Sequence, residues 1–385
     1  MQGATQTADL DAFIEDKMRR DHIPGIAACI VRGADIVWSG SYGYADLERQ
    51  VEMSLDHLQN VASISKTFTT TAFMQLVEAD LVDLDQDVND FVPFVVRNPA
   101  YPTEPITVRH LVTHTSSISD GLAYSGLYGC GDPRFSLEIW LREYFSEGGA
   151  FYSAEENFHP WAPRAQRFTY NNVAFGLLGR IVEVVSGIPF PEYCRRNIFV
   201  RLGMNRTAWM LADIDLVSHV VPYTWVEGGV ARGPTWGGTP LGVIREGGPS
   251  FSDPLMDGYH QNCAYNHPNY PDGFLRTSVN QLSRYLRAYL ARGEFVGRQV
   301  LTADSIVQLL TNQGVGGNRT QGLTWYADVQ VDGEDSWGHG GSDPGSNTDM
   351  RILPDHGVGA IVFANTNGVT PSEITHRLLH ASLEM

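Results

Sequence analysis

The chain has 385 residues, of which 43% are hydrophobic and 18% charged, a composition typical of a globular protein with a large core. Its formal net charge of −17 argues against nucleic acid or an anionic membrane as a partner, because both select basic surfaces. Apolar runs are too short to cross a bilayer, and residues 1–20 lack the layout of a signal peptide. We therefore expect a cytoplasmic protein, with a processed exported form as the alternative.

The secondary-structure pattern divides the chain into a sheet part and a helical part. A helical stripe near the amino terminus is followed by a hairpin pattern at residues 26–38, and residues 370–373 read as a capping box that opens a final helix. Four late strand patterns cover residues 325–331, 336–341, 348–353 and 358–364. We predict an α/β fold: an antiparallel sheet with N- and C-terminal helices from residues 1–62 and 275–385, and a mainly helical subdomain with pocket loops from residues 63–274, as one catalytic unit.

Two aromatic-rich stretches, residues 118–163 and 221–272, are too apolar to be solvated linkers. We interpret the first as core or pocket wall. The second reads as a long irregular loop, and such loops in compact proteins are usually functional. Together the two stretches favour a roomy apolar pocket.

The cysteines are widely separated and form no Cys-x-x-Cys pair, so free and mostly buried thiols are expected. His260, Cys263 and His267 have spacings that suit a metal site in an ordered segment. They lie in a loop rich in Pro, Asn and Tyr, so we interpret the histidines as loop residues and predict neither a metal nor a cofactor. The four cysteines are Cys29, Cys130, Cys194 and Cys263.

A serine and a lysine three positions apart, Ser63 and Lys66, lie on one face of a helix. Only two of the 27 basic residues are lysine, and Lys17 is the other. Unlike arginine, a desolvated lysine can lose its proton and act as a base. The following residues are apolar on most sides, so Ser63 is expected at the amino end of a buried helix, where the helix dipole favours negative charge.

Three short motifs follow one another along the chain: Ser63-Ile64-Ser65-Lys66, Tyr170-Asn171-Asn172 and His339-Gly340-Gly341. They resemble the Ser-x-x-Lys, Tyr-x-Asn and Lys/His-x-Gly motifs of the class C β-lactamase and DD-peptidase superfamily, which includes esterases, D-aminopeptidases and acyltransferases. Residues 106–117 and 271–278 also look like that family. The resemblance covers most of the chain and implies a β-lactamase/transpeptidase-like fold.

The resemblance also implies an acyl-enzyme mechanism. Ser63 would be the nucleophile, Lys66 a base within hydrogen-bond reach, and Tyr170 a member of the proton relay; which of the two bases takes the first proton stays open. Asn172 would orient Lys66 and the substrate carbonyl or amide. Taken alone, Tyr170 reads as a core tyrosine and Asn172 as a helix cap, but beside Ser63 and Lys66 the catalytic interpretation is preferred.

The third motif is expected to form the other wall of the site. The backbone N–H groups of Ser63 and Ser342 would form an oxyanion hole, and Gly340 and Gly341 would let a substrate approach their strand closely. His339 would be a site residue. By contrast, we interpret three aspartates as turn and surface residues: Asp120, Asp343 and Asp349.

His339 stands where the lactamases and DD-peptidases usually have a lysine. That lysine faces a substrate carboxylate with a fixed charge, whereas a neutral histidine offers a hydrogen bond. We therefore predict a serine hydrolase that acts on a small-molecule ester or amide, foremost a carboxylesterase for a hydrophobic ester. The alternatives are a D-stereospecific amidase or peptidase, a β-lactamase, an acyltransferase that uses the same acyl-enzyme, and a non-catalytic ligand-binding protein. The oligomeric state is left open.

Overall fold

The structure is a computed structural model that describes residues 2–233, 235–236, 239–240, 242–246, 248–250, 256–316 and 319–385. One eight-stranded antiparallel sheet lies at its centre. The strand order is β4, β5, β6, β7, β8, β1, β2, β3, so the first hairpin lies beside the last strand. The predicted α/β class, the early hairpin and the late antiparallel strands are confirmed. The strands are β1 (Gly25–Arg32), β2 (Asp35–Asp46), β3 (Val51–Glu52), β4 (Thr320–Gln321), β5 (Tyr326–Val331), β6 (Glu334–Asp343), β7 (Ser346–Leu353) and β8 (Val358–Ala364).

Helices cover the two faces of this sheet. Every second side chain of β1, at Ile26, Ala28 and Ile30, packs with Ile14 and Leu378 of the terminal helices, because strand side chains alternate between faces. The other side chains of β1 join the larger core that contains α2, α6 and α9. The helices are α1 (Gln2–Asp21), α2 (Ser65–Glu78), α3 (Val108–Val112), α4 (Leu122–Ser125), α5 (Leu137–Phe145), α6 (Val173–Ser186), α7 (Phe190–Cys194), α8 (Val200–Leu202), α9 (Val279–Leu290), α10 (Ala303–Leu309) and α11 (Pro371–Glu384).

Lys17 joins the two terminal helices. Its side chain is 2% exposed, and its Nζ lies 2.7 Å from both Asp21 Oδ2 and Glu373 Oε2. Helix α11 begins at Pro371 as predicted, but the side chain of Thr370 makes no capping hydrogen bond. The predicted capping box is therefore wrong, because Glu373 binds a buried ammonium of α1 instead of the backbone of its own helix.

Helix α2 crosses the interior, and eleven of its 14 residues are buried, which confirms the predicted buried helix. The aromatic stretch 118–163 is core, as expected, with Trp140 and Tyr144 fully buried. The stretch 221–272 contains short antiparallel strands rather than one irregular loop: Tyr223–Glu227 pairs with Gly258–Gln261. Phe251 of that stretch lies outside the described residues.

Cys130 and Cys263 form a disulfide, with Cα atoms 5.7 Å apart, so the prediction of four free thiols is wrong for this pair. Their sequence separation of 133 residues gave no indication of the pairing. The two meet because Gly129–Cys130 and Tyr265–Asn266 form a short ribbon. Cys29 and Cys194 are free and buried, as expected.

No single helix of the described chain has the length and apolar composition to cross a membrane. The segments Val173–Ser186 and Phe190–Leu202 meet that criterion only as a pair bent by 76°.

Candidate active site

Ser63 lies in a single 3₁₀ turn, Ala62–Ile64, that leads directly into α2. Ala62 adopts a left-handed backbone conformation, with φ of +47°, and its N–H donates to Asn60 Oδ1 at 3.1 Å. Such a conformation costs energy in a residue that has a Cβ, and it persists only where the surroundings fix it. The turn leaves Ser63 partly exposed at the buried end of α2. Ser63 therefore lies at the start of the buried helix, where the sequence analysis placed it.

Lys66 is fully buried and connects three parts of the chain. Its Nζ lies 3.0 Å from Ser63 Oγ, 2.7 Å from Asn172 Oδ1 and 2.8 Å from the carbonyl oxygen of Asp272. Burial acts to lower the pKa of Lys66, but Tyr170 and the carboxylate of Asp272, 3.6 Å away, outweigh it, and the net shift of the pKa is upward. The surroundings of Lys66 thus favour its charged form over the neutral form that burial alone would favour.

Tyr170 lies on the other side of Lys66, whose Nζ is 5.0 Å from the centre of the phenol ring. His114 holds this ring by stacking at 4.4 Å, and His114 Nδ1 accepts the N–H of Asn171 at 3.1 Å. Burial, followed by the charge of Lys66, lowers the pKa of His114 well below its usual value, so the ring stays neutral. Both Tyr170 and Ser63 line one cavity. The phenol is therefore folded against the serine and the lysine.

Asp120 orients the second motif. Its carboxylate accepts hydrogen bonds from Asn172 Nδ2 at 2.8 Å, from Asn171 Nδ2 at 2.9 Å and from the backbone N–H of Val173 at 2.9 Å. Because a carboxylate only accepts, Asn172 must turn its Oδ1 toward Lys66. Asp120 is partly exposed, but its hydrogen bonds give it a positioning role that the interpretation as a surface residue missed, and Asn172 makes no side-chain cap on α6. Burial raises the pKa of Asp120 to about 6.

Strand β6 forms the wall opposite α2. It pairs with β5 only as far as Gly338, whereas its pairing with β7 continues to Asp343, so one edge of the last five residues is open. The N–H of Gly340 points to that edge, where it donates to Tyr326 Oη at 3.1 Å. Backbone N–H groups two residues apart point the same way on a strand, so the N–H of Ser342 faces the open edge as well. This is the orientation an oxyanion donor requires.

The two glycines of the third motif have different surroundings. A Cβ at Gly341 would lie 2.3 Å from the carbonyl oxygen of Val61, beside the turn that carries Ser63. A Cβ at Gly340 would meet ordinary contacts, of which the nearest is Asp349 Oδ1 at 3.4 Å. Gly341 therefore allows β6 to pack against the turn that carries Ser63. The sequence analysis had instead explained this glycine by the close approach of a substrate.

His339 is neutral, as the sequence analysis supposed. Burial, followed by the charge of Lys66, lowers its pKa well below the usual value. Its Nδ1 lies 2.6 Å from the carbonyl oxygen of Gly340, so the proton resides there and Nε2 is an acceptor. That Nε2 is buried and has no hydrogen-bond partner among the described residues. It can accept a hydrogen bond from a ligand.

Two arginines that the sequence analysis missed line the same cavity. Arg351 is neutralised by ion pairs with Asp328 and Asp349. The guanidinium carbon of Arg319 lies 4.1 Å from the ring centre of Tyr326. The guanidinium group forms no ion pair with any described residue. A fixed positive charge therefore stands in the site although His339 is neutral. An arginine in the strand pattern at 348–353 was a usable signal for Arg351, but nothing in the sequence marked Arg319.

The cavity above Ser63 has a volume of about 380 Å³, and its walls combine charged groups with the aromatic faces of Tyr124, Tyr128 and Tyr326. The roomy apolar pocket predicted from the sequence therefore holds in part, since four carboxylates also face the cavity. Asp343, which had been interpreted as a surface residue, is 5% exposed and accepts hydrogen bonds from Asn60 and Tyr128. Burial and then the charge of Asp272 raise the pKa of Asp343 to about 7. The four carboxylates are Asp272, Asp328, Asp343 and Asp349.

The histidine and cysteine residues weighed for a metal have other roles. Cys263 is in the disulfide, and His267 Nε2 lies 2.8 Å from the carbonyl oxygen of Tyr124. Within the described ranges, no group of three or more His, Cys, Asp or Glu side chains is placed to hold a metal ion.

The fold and this site bring the residues of the Ser-x-x-Lys and Tyr-x-Asn motifs together. The chain belongs to the Beta-lactamase family, which matches residues 10–384, and the resemblance seen in the sequence is thereby confirmed.

Solved structures similar to this chain include a penicillin-binding protein homologue and a D-amino acid amidase. An octameric penicillin-binding protein homologue from Pyrococcus abyssi aligns with 98% of this chain and 77% of its own, at 25% identity and a TM-score of 0.72. The D-amino acid amidase from Ochrobactrum anthropi SV3 aligns with 98% of this chain and 99% of its own, at 19% identity and a TM-score of 0.76. The second likeness is one of fold alone.

Among curated proteins, Penicillin-binding protein 4* of Bacillus subtilis (strain 168) is 27% identical over 46% of this chain. Protein flp of Staphylococcus aureus (strain N315) is 26% identical over 52% of it. The alignments span only 36% and 38% of the lengths of these two relatives.

Proposed function

We propose that this serine hydrolase cleaves small polar amides or peptides through an acyl-enzyme on Ser63, in preference to hydrophobic esters. The observation that carries the proposal is the charge on the cavity walls, with four carboxylates and the guanidinium of Arg319, which forms no ion pair with a described residue. A hydrophobic acyl chain gains little free energy there, because it would desolvate charged groups without replacing their hydrogen bonds. The likeness to a D-amino acid amidase makes the amide of a D-amino acid the first substrate to test.

The first half of the reaction transfers the acyl group to Ser63. In the form in which Lys66 is an ammonium and Tyr170 a phenolate, Lys66 donates to Ser63 Oγ and the serine proton passes to the phenolate oxygen of Tyr170. Oγ attacks the carbonyl carbon, and the N–H groups of Ser63 and Ser342 bind the oxyanion. When the carbon–nitrogen bond breaks, Tyr170 returns the proton to the leaving amine.

The second half releases the acyl group. A water molecule loses a proton to the same base and attacks the acyl carbon, the bond to Oγ breaks, and Ser63 regains its proton as the carboxylic acid leaves. An alcohol or amine in place of water would give acyl transfer with the same residues.

Carboxylesterase activity is the second candidate. It is favoured by the neutral state of His339 and by the rings of Tyr124, Tyr128 and Tyr326 in the cavity wall, which offer apolar faces to an ester. The argument that a carboxylate-bearing lactam would find no cation in the site does not hold, because Arg319 supplies one.

A substrate panel tests the proposal. We expect kcat/KM for a D-alanyl p-nitroanilide to exceed that of the L-isomer. Across an ester series from p-nitrophenyl acetate to octanoate, we expect kcat/KM to fall. A strong rise with acyl length would establish the carboxylesterase instead, and a chromogenic cephalosporin as the best substrate would establish a β-lactamase. Ser63→Ala is the blank for every substrate.

Covalent labelling separates an enzyme from a non-catalytic ligand-binding protein. A fluorophosphonate should add to Ser63 and to no other serine, as read by mass spectrometry of the digested protein. Ser372→Ala, which changes another serine of the cavity wall, should leave the adduct in place, whereas Ser63→Ala should abolish it. Absence of any adduct on the folded protein would contradict the hydrolase.

A further inference from the structure

A second pocket, of about 370 Å³, lies beside α9 and the turn after α8. Among the described residues it shares no wall with the cavity of Ser63. Its lining is dominated by hydrogen-bond donors: three guanidinium groups, three amides and a hydroxyl. These belong to Arg206, Arg284, Arg287, Asn205, Asn280, Gln281 and Ser283.

Among the described residues, the three arginines of this pocket have no carboxylate in direct contact, although Asp56 also lines the pocket. None of them lies within ion-pair distance of a carboxylate in the described chain, although the protein carries a net charge of −17. Arg206 donates to the carbonyl oxygen of Asp56 at 3.2 Å, and Arg284 donates to the carbonyl of Gly203. Carbonyl groups satisfy N–H donors but leave the positive charge in place.

Arg287 is the arginine with the least compensation. Its guanidinium lies 4.8 Å from the ring centre of Phe295, and its buried Nε has no hydrogen-bond partner among the described residues. Burial, followed by the charge of Arg284, lowers the pKa of Arg287, which means that the two cations repel each other. A bound anion would remove this repulsion and satisfy the free donor.

The donors are held by regular structure. Asn280, Arg284 and Arg287 follow one another at spacings of four and three along α9, so they form one stripe of the helix. The backbone N–H of Arg206 donates to Gln281 Oε1 at 2.9 Å, which fixes the facing turn against the same helix. The carboxylate that lines the pocket, Asp56, already accepts a hydrogen bond from Asn280 Nδ2 at 2.7 Å.

We propose that this pocket binds a phosphate-type oxyanion. A tetrahedral anion offers several acceptor oxygens at once, and the planar fork of a guanidinium matches two of them. Arg206 is exposed, so the pocket opens to solvent and admits either a free phosphate or a phosphate group carried by a larger molecule.

Calorimetric titration of the whole protein with inorganic phosphate tests the proposal, with sodium chloride of equal ionic strength as the reference. We expect saturable binding of phosphate and none of chloride. Arg284→Gln and Arg287→Gln should each weaken binding by about tenfold or more, since each removes one charge-assisted contact. Arg377→Gln, an exposed arginine of α11, removes the same charge elsewhere and should change the dissociation constant less than twofold.

Two further arms separate the sources of the phosphate. Glucose 6-phosphate represents a free phosphate ester, and phosphatidic acid vesicles, compared with phosphatidylcholine vesicles, represent a lipid headgroup. Fluorophosphonate labelling of Ser63 reports that each variant is folded. If the parent protein binds glucose 6-phosphate or phosphatidic acid vesicles and the Arg284→Gln variant does not, the oxyanion site is supported. If phosphate binds no better than chloride, or if Arg377→Gln weakens binding as much as Arg284→Gln, the pocket is not an oxyanion site.

Discussion

Gly341→Ala tests whether β6 must touch the turn that carries Ser63. The added Cβ would lie 2.3 Å from the carbonyl oxygen of Val61 and 2.4 Å from Thr348 Oγ1, although Cβ atoms essentially never approach another heavy atom within 3.0 Å. Neither neighbour can turn away, because one is backbone and the other donates to that same carbonyl at 2.9 Å. The strand must therefore move from the turn by about 0.7 Å or more, which as overpacking costs about 1–3 kcal/mol.

The same displacement carries the N–H of Ser342 away from the oxyanion. Loss of one such donor lowers kcat by about 10²–10³-fold. We therefore expect Gly341→Ala to lower kcat/KM for p-nitrophenyl acetate by about 100-fold, together with a lower Tm. Gly340→Ala is the matched control for folding, since its Cβ meets nothing closer than 3.4 Å, and its Tm should equal that of the parent. An unchanged Tm together with kcat/KM within about threefold of the parent in Gly341→Ala would refute the packing argument.

Three further perturbations test the charges and the disulfide. Lys66→Met should cost about 3–5 kcal/mol at neutral pH in urea unfolding, because it leaves buried Asp272 without its partner charge, and adding Asp272→Asn should restore part of that loss; no restoration would show that the pair is not coupled. The pKa of Asp343 is raised to about 7, so the stability that this group contributes is full below about pH 4 and is lost as the pH rises through about 7. The Tm of Asp343→Asn should therefore rise relative to that of the parent between these pH values. Parallel curves of Tm against pH would contradict the shift. Reducing Cys130–Cys263 opens a loop of 133 residues and should lower the unfolding free energy by about 4–5 kcal/mol, whereas a Cys130→Ser variant should no longer respond to reductant.

The features that the sequence predicted well depend on short spacings. Alternating strands, the buried helix that begins at Ser65, and the Ser63–Lys66 pair all follow from residues within one or two turns of each other. The order of the motifs then located Tyr170 and Asn172, whose side chains do lie beside Lys66.

The features that the sequence did not predict depend on contacts between distant segments. Asp272 lies 206 residues from Lys66 and stands between proline and glycine, a pattern that indicates a turn. Cys130 and Cys263 are likewise far apart, with a sequence separation of 133 residues. Arg319 belongs to none of the three motifs. Composition was a partial guide, because most aromatic rings of residues 118–163 build the core, whereas Tyr124 and Tyr128 line the cavity together with charged groups from other segments.

The contact between Lys66 and the distant Asp272 bears on the choice of the general base. From the sequence, Lys66 and Tyr170 were equal candidates, since burial alone would make the lysine neutral. In the folded chain Tyr170 and the carboxylate of Asp272 reverse the direction of the shift, so the surroundings favour the ammonium of Lys66. Because a phenol raises the pKa of a neighbouring ammonium through charge only when it is a phenolate, this shift applies to the form in which Tyr170 is a phenolate. In that form, we propose that the serine proton goes to Tyr170 while Lys66 stabilises the negative charge that develops beside it.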